Sequence, residues 1–244
     1  MPAKRSNVFK LYNATTHVQE ISPGSFLRFY PDMTSIVEID PDKLMHDLSK
    51  LPFTRREHHF FGRIPRREFY VADSHLTPYK YSNMNIQSVC WDDPCLPPDL
   101  VKLKKEISAW YSVDFNSVLM NEYENGHDSV SWHNDFSSSY ALNCDCRIPI
   151  VSISLGATRD FHMRLIKENV YDTSNGKRKK VGDQTILQKD HKHTSFPGHF
   201  AIAMTHGSVL CMDGVTQKYW EHQIPKVTDD CGRRINLTFR KVLE

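Results

Sequence analysis

The seven residues Arg234–Arg240 constrain the fold more than any other stretch of the chain. They read Arg-Ile-Asn-Leu-Thr-Phe-Arg, so Ile235, Leu237 and Phe239 alternate strictly with Arg234, Asn236, Thr238 and Arg240. Side chains on a strand point to opposite faces with a period of two, so this segment is a strand with one apolar face and one cationic, hydrogen-bonding face. The apolar face demands a core. A solvated edge strand is the commoner setting for a basic strand, but a buried row of Arg, Asn, Thr and Arg suits a small dicarboxylate, because each guanidinium presents a planar fork to a carboxylate.

The rest of the second half fits around such a strand. Residues 117–123, 149–155, 161–165, 208–212 and 235–241 are short runs rich in β-branched and aromatic residues, separated by turn signals. That spacing fits a sandwich or a jelly roll. Residues 26–30 alternate with aromatics and read as a further strand. Two helices precede the strand series. Asp40 caps the first with Pro41 in its opening turn, Leu44, Met45, Leu48 and Leu51 form its apolar stripe, and Pro52 closes it. The second is read as capped by Asp99, with Leu100, Leu103, Ile107 and Trp110 on one face and Lys102, Lys104 and Lys105 off it. The expected class is therefore mainly β with α (α+β). The expected organisation is a loosely ordered arm at 1–25, an N-terminal extension with helices at 26–116, and a β core at 117–244 interrupted by a polar, basic insertion at 167–199.

Within the core, Ser131-Trp-His-Asn-Asp135 sets an imidazole and a carboxylate two residues apart, on one side of an extended strand. A His-x-Asp triplet alone is weak, since most are surface pairs or capped turns. With His222, in Trp220-Glu-His-Gln223, the set becomes the 2-His-1-carboxylate face that holds Fe(II) and leaves open positions. Composition is compatible with that chemistry. With 244 residues, 39% hydrophobic and 25% charged, the chain is long enough for a substantial core. No apolar run approaches a membrane span, and nothing at the N-terminus reads as a secretion signal. Six cysteines without such a signal read as reduced thiols in an intracellular setting, nuclear or cytoplasmic. A net charge of +2 neither demands nor excludes a nucleic-acid partner.

Taken together, Asn121-Glu-Tyr123, His133-Asn-Asp135, Ser152-Ile-Ser-Leu-Gly156, His206-Gly-Ser208, His222 and Arg234–Arg240 resemble the AlkB family of Fe(II)/2-oxoglutarate dioxygenases, over residues 65–240. The resemblance is to the animal members that repair alkylated nucleic acid. It implies a double-stranded β-helix (jelly roll) with a nucleotide-recognition lid, and Fe(II), 2-oxoglutarate and O2 as cofactor and cosubstrates. Iron would be held by His133, Asp135 and His222, with His206 a decoy for the third ligand. 2-Oxoglutarate would lie against Arg234, Arg240, Asn236 and Thr238, with Asn121 and Tyr123 donating from the neighbouring strand. Arg233 is out of register and reads as solvated.

Residues 53–81 mix cations and aromatic rings, as surfaces that hold extruded bases do. A small sheet with inward rings and solvated arginines has the same composition. The resemblance places Arg66, Tyr70 and Tyr81 in the substrate lid, with Phe60 or Phe61 as a wedge. It also exposes a departure, because Phe136 and Ser137 stand where base-repairing members carry an acid. The Lys177-Arg-Lys-Lys180 run suits phosphate contact. His191, His193 and His199 read as part of a solvated loop rather than as a zinc site. The implied activity is oxidative demethylation of N-alkylated bases (1-methyladenine, 3-methylcytosine type) in DNA or RNA, by a monomer. The alternatives are a hydroxylase of a protein side chain, lipid or metabolite, and a non-catalytic nucleic-acid binding module.

Overall fold

Alternation in β-strand sequences is expressed as two sheets packed face to face. The computed structural model describes residues 9–11, 17–58, 62–74, 76, 79–81, 84–135, 148–172, 179–186, 196–228 and 230–242. From the N-terminus run β1 (Phe9–Leu11), β2 (His17–Ser22) and β3 (Ser25–Tyr30), then a 3-10 turn at Met33–Ser35 and α1 (Pro41–Leu48). β4 (Glu57–His58), β5 (Gly62–Arg63), β6 (Arg67–Ala72), β7 (Tyr79–Tyr81) and β8 (Met84–Ile86) lead to α2 (Pro98–Tyr111). β9 (Ser117–Tyr123), β10 (Val130–His133), β11 (Ile150–Gly156), β12 (Arg159–Leu165), β13 (Lys167–Asp172) and β14 (Lys179–Thr185) follow. The chain ends with β15 (His199–Met204), β16 (Ser208–Gly214), the short α3 (Thr216–Tyr219), β17 (Trp220–Ile224) and β18 (Arg234–Arg240).

The larger sheet has the order β2-β3-β16-β11-β18-β9-β6 and the smaller one β1-β15-β12-β17-β10. β18 is thus an interior strand, antiparallel to β11 on one side and β9 on the other. Its apolar residues Ile235, Leu237 and Phe239 pack outward against Leu44 and Leu48 of α1 and Leu100, Leu103 and Ile107 of α2, all buried. Each such side chain contributes about 1.5–3 kcal/mol of hydrophobic stabilisation. The opposite face of β18 looks into the space between the sheets. There a second apolar cluster, including Leu27, Phe161, Met163, Phe200, Leu210 and Trp220, closes one part of the sandwich. The polar row of β18 occupies the other part. The mainly β, jelly-roll arrangement expected from the sequence is therefore present, with helices on the outer face of the larger sheet.

Several boundaries differ from expectation, for reasons that are not local. Segment 1–25 contributes two strands. β1 pairs in parallel with β15, and β2 pairs with β3, because open sheet edges offer backbone donors and acceptors to a segment of weak periodicity. The division at 116/117 does not separate two bodies, since β3 and β6 from the N-terminal part complete the larger sheet. Within 167–199, β13 and β14 form a hairpin and His199 begins a sheet strand, so this insertion is not simply a loop. His191, His193, Lys177 and Arg178 lie outside the described residues. Asp99 does not cap α2. The cap position is Pro97, with no side-chain hydrogen bond, while Asp99 pairs with Lys43 across to α1.

Candidate active site

The inward row of β18 is extended by its strand neighbours. In register across four strands, Glu68, Asn121, Asn236 and Ser154 form one polar line, and Tyr70, Leu119, Thr238 and Ser152 the next. Arg234 is fully buried. Its Nε donates to Ser154 Oγ at 2.8 Å and its Nη2 to Asn236 Oδ1 at 2.7 Å. Asn236 Nδ2 donates on to Thr238 Oγ1 at 3.0 Å, and Ser152 Oγ donates to Asn236 Oδ1 at 3.2 Å. The guanidinium of Arg234 lies 5.1 Å from the ring centroid of Tyr123, and that of Arg159 lies 5.6 Å from the same ring. Burial, reinforced by Arg159, lowers the pKa of Arg234 to about 10, against the opposing influence of Tyr123. Its Nη1 is buried without a hydrogen-bond partner among the described residues. A buried guanidinium with an unpartnered donor beside a second buried cation is a costly arrangement that an anion would relieve.

At the other end of this space His133, Asp135 and His222 bring one ligand atom each to within 4.8 Å of one another. His133 and His222 are cross-strand partners in β10 and β17, with ring centroids 4.3 Å apart. The register slips between Val130 and His133, where two residues of β10 oppose one of β17. Without that β-bulge, positions three apart would face opposite sides. With it, both Val130 and His133 point inward. The bulge also supplies the carbonyl of Ser131, which lies 2.8 Å from His133 Nδ1 and holds a proton there, leaving Nε2 for a metal. His222 stacks on Phe161, with centroids 4.8 Å apart and planes 19° from parallel. Asp135 lies just beyond the end of β10. Its backbone N–H donates to Gln217 Oε1 at 2.8 Å, and its carboxylate reaches Arg240 and, at 3.6 Å, His222 Nε2.

The electrostatics suit metal binding. Burial lowers both imidazole pKa values, that of His222 to about 3, so both ligands are neutral at neutral pH. Burial alone would raise the pKa of Asp135, but Arg240 and the two imidazoles overcome it and hold the carboxylate ionised, well below its usual range. Two neutral imidazoles and one carboxylate on one face, with a tautomer-fixing carbonyl behind one of them, form a donor set that fits Fe(II).

His206 is elsewhere. Its Nδ1 accepts from the Gly156 N–H at 2.8 Å and its Nε2 lies 3.4 Å from Asp42, so it fastens a turn rather than joining the ligand set. Arg66 does line the site, yet its Nε donates to Asn121 Oδ1 at 2.9 Å and its Nη2 lies 2.7 Å from Glu68, so it is part of the buried floor. Tyr70 is 3% exposed and packs with Ala72, Leu76 and Leu119, inside the sheet rather than on a lid. Arg233 is not simply solvated: it pairs at 2.6 Å with Glu122, a fully buried carboxylate that Arg67 also contacts at 2.6 Å. Tyr81 lies in the β7–β8 hairpin. Phe61, Phe136 and Ser137 lie outside the described residues. Sequence reasoning missed Gln217, Phe161, Arg159 and Glu68. The first three carry no local signal, because their partners lie on other strands. Glu68, paired with Arg66 two residues away, was hidden among the charges of a segment read as lid.

Comparison with known proteins agrees with this geometry. Residues 40–240 match the 2OG-Fe(II) oxygenase superfamily. The chain is 38% identical over 200 residues to the DNA oxidative demethylase ALKBH2 of Arabidopsis thaliana, covering 79% of this chain and 59% of that one. It is 37% identical over 166 residues to the alpha-ketoglutarate-dependent dioxygenase alkB homolog 3 of Bos taurus, covering 68% and 48% respectively. It thus spans about half of the length of these relatives. Fold, donor set and guanidinium row define the class of Fe(II)/2-oxoglutarate-dependent dioxygenases. Within that class, the chain belongs to the AlkB family of the 2OG-Fe(II) oxygenase superfamily.

Proposed function

We propose that this protein is an oxidative demethylase of N-alkylated bases in nucleic acid, of the 1-methyladenine and 3-methylcytosine type. The observation that carries this reading is that Asn236, Thr238 and Arg240 line one cavity with the His133–Asp135–His222 ligand set, with Arg234 fully buried at the end of the same strand row. When bound, Fe(II) with 2-oxoglutarate and O2 supplies the oxidising power that hydroxylates an N-methyl group, which then leaves as formaldehyde.

The chain's own residues do the positioning. Arg234 and Arg240 offer forks for the two carboxylates of the cosubstrate. Asn236, Thr238, Ser152 and Ser154 hold the Arg234 fork in place. Tyr123 presents a hydroxyl-bearing ring between two buried cations, and Asn121, its carbonyl occupied by Arg66, keeps its amide N–H groups for the cosubstrate. Val130, Phe161, Met212 and Ile224 wall the cavity with apolar surface that limits water. The relatives named DNA oxidative demethylase favour nucleic acid as substrate. An intracellular, monomeric protein is the corresponding setting.

The Phe136-Ser137 sequence favours a second reading with the same chemistry on a protein side chain, lipid or metabolite, since no carboxylate follows Asp135 until Asp145. One experiment separates the two. Single- and double-stranded DNA and RNA oligomers bearing 1-methyladenine or 3-methylcytosine are incubated with Fe(II), ascorbate and 2-oxoglutarate, with His133→Ala as the blank, and followed by mass spectrometry. Loss of the methyl mass supports the first reading. Succinate formation with unchanged oligomers overturns it in favour of the second.

A further inference from the structure

The reverse face of the smaller sheet carries a cluster that the reaction itself does not use. Directly behind the ligand histidines, the guanidinium of Arg164 on β12 lies 4.1 Å from the ring centroid of Trp132 on β10. Its Nε donates to Glu221 Oε1 on β17 at 2.5 Å. Trp132 also meets the ring of His199 on β15 edge-on, with centroids 5.6 Å apart. Trp132 precedes His133, and Glu221 precedes His222. In the register of the sheet Met163, His222 and His133 form one inward row, while Arg164 and Glu221 are direct partners on the outward side.

We propose that Arg164 is a positioning residue for the metal centre, acting as a clip across the back of both histidine-bearing strands. The inference rests on the assignment of His133, Asp135 and His222 as metal ligands. The physical reason lies in β10. It is a four-residue strand whose only partner in the sheet among the described residues is β17, and it contains the bulge that turns His133 inward. An edge strand is held by a neighbour on one side, and a slip of one residue would send His133 to the outer face and bring Trp132 to the inner one, so contacts that hold the register at the bulge also hold the ligand. Trp132 is one of the two bulge residues, so a contact that holds its ring outside holds His133 inside. Arg164 makes that contact with one face of its guanidinium and anchors the same group to the neighbour of His222 with an edge. One side chain therefore fixes the spacing between two ligands that share no covalent proximity.

The stack and the ion pair are separable, which makes the clip testable on the full-length apoprotein by Co(II) titration, read from the ligand-field absorbance of the bound ion. The proteins compared are wild type, Arg164→Met, Trp132→Leu, their double variant, Glu221→Gln and His133→Ala. Supporting residues behind metal ligands typically matter by ten- to a hundredfold in affinity. Arg164→Met and Trp132→Leu are each expected to bind Co(II) roughly tenfold more weakly, with melting temperatures close to wild type, and the double variant no more weakly than either single one. Glu221→Gln, which keeps shape and volume, is expected to show a smaller loss in the same direction, and it decides the matter should Arg164→Met fail to fold. Wild-type affinity in Arg164→Met and Glu221→Gln, with His133→Ala unable to bind, overturns the clip alone. Equal Co(II) binding by wild type and His133→Ala overturns the metal assignment beneath it.

Discussion

Arg234 and Tyr123 are cross-strand partners of β18 and β9, and the buried guanidinium of one lies 5.1 Å from the ring centroid of the other. The same ring is shared with Arg159, whose Nη2 donates to the carbonyls of Asp128 at 2.9 Å and Pro225 at 2.5 Å. The Nη atoms of Arg159 are thereby held by backbone carbonyls, while its Nε and the Nη1 of Arg234 are buried without a hydrogen-bond partner among the described residues. In the proposed function, the unpartnered Nη1 of Arg234 is the donor offered to a cosubstrate carboxylate.

Replacing Arg234 with Met should therefore weaken 2-oxoglutarate. A charge-assisted hydrogen bond is worth about 1.5–3 kcal/mol, or roughly ten- to a hundredfold in affinity. The apparent KM for 2-oxoglutarate should rise by that factor, measured as succinate release at fixed oligomer. Arg234→Lys should not restore it, because an ammonium lacks the planar fork. An unchanged KM in both variants would remove Arg234 from the cosubstrate site.

His133→Ala and His222→Ala should each abolish succinate formation while leaving the circular-dichroism spectrum of the β sandwich intact. His222→Ala should also lower the melting temperature more than His133→Ala. The His222 side chain is 6% exposed and its ring stacks on Phe161, so its loss leaves a void among packed groups. Turnover in either variant would refute the ligand set.

Gly156 should tolerate no side chain. Its φ is +87°, and a Cβ there would collide with the carbonyl oxygen of Arg233, immediately before β18. Gly156→Ala is expected to cost about 1–3 kcal/mol from the backbone conformation alone, read as a lower denaturant midpoint. Since the collision pushes on the residue before Arg234, weaker 2-oxoglutarate binding should accompany it. Wild-type stability would show that the turn is not held as described.

Asp128 ties the segment before β4 to the core. It accepts from Arg55 Nη1 at 2.7 Å and Nη2 at 2.8 Å. Burial opposes ionisation of Asp128, but the Arg55 hydrogen bonds prevail and its pKa is lowered. A carboxylate with a depressed folded-state pKa stabilises fully above its unfolded value, near 3.9, and loses that contribution as pH falls through the folded value. The stability gap between wild type and Asp128→Asn should thus be widest at neutral pH and shrink below about pH 4, in urea titrations at pH 7 and pH 3. A gap that grows on acidification would contradict the pairing.

Thiol chemistry offers a further check. Cys211 is fully buried beneath α2 and its pKa is pushed up to about 12, chiefly by burial, whereas Cys95 is exposed. A thiol reagent should modify Cys95 in the native protein and reach Cys211 only on unfolding, as peptide mapping would reveal. Rapid native labelling of Cys211 would mean that α2 opens readily.

Much of the site could be read along the chain. The alternation of Arg234–Arg240, the His-x-Asp pair and the apolar stripe of α1 are periodic or short-range signals, and periodicity is a local property of a sequence. Asp40 caps α1 as expected, with its side chain accepting from Asp42 and Lys43. The lid assignment of Tyr70 failed because exposure depends on which strand becomes a neighbour, and β6 is an edge strand whose inward face is covered. The strands in segment 1–25 were hidden because their stability comes from pairing with β3 and β15, not from their own pattern. The bulge before His133, the two cations sharing Tyr123 and the Arg164 contact behind the ligands all join residues tens of positions apart. Register between distant strands sets such contacts, and register is fixed only when the whole sheet has formed.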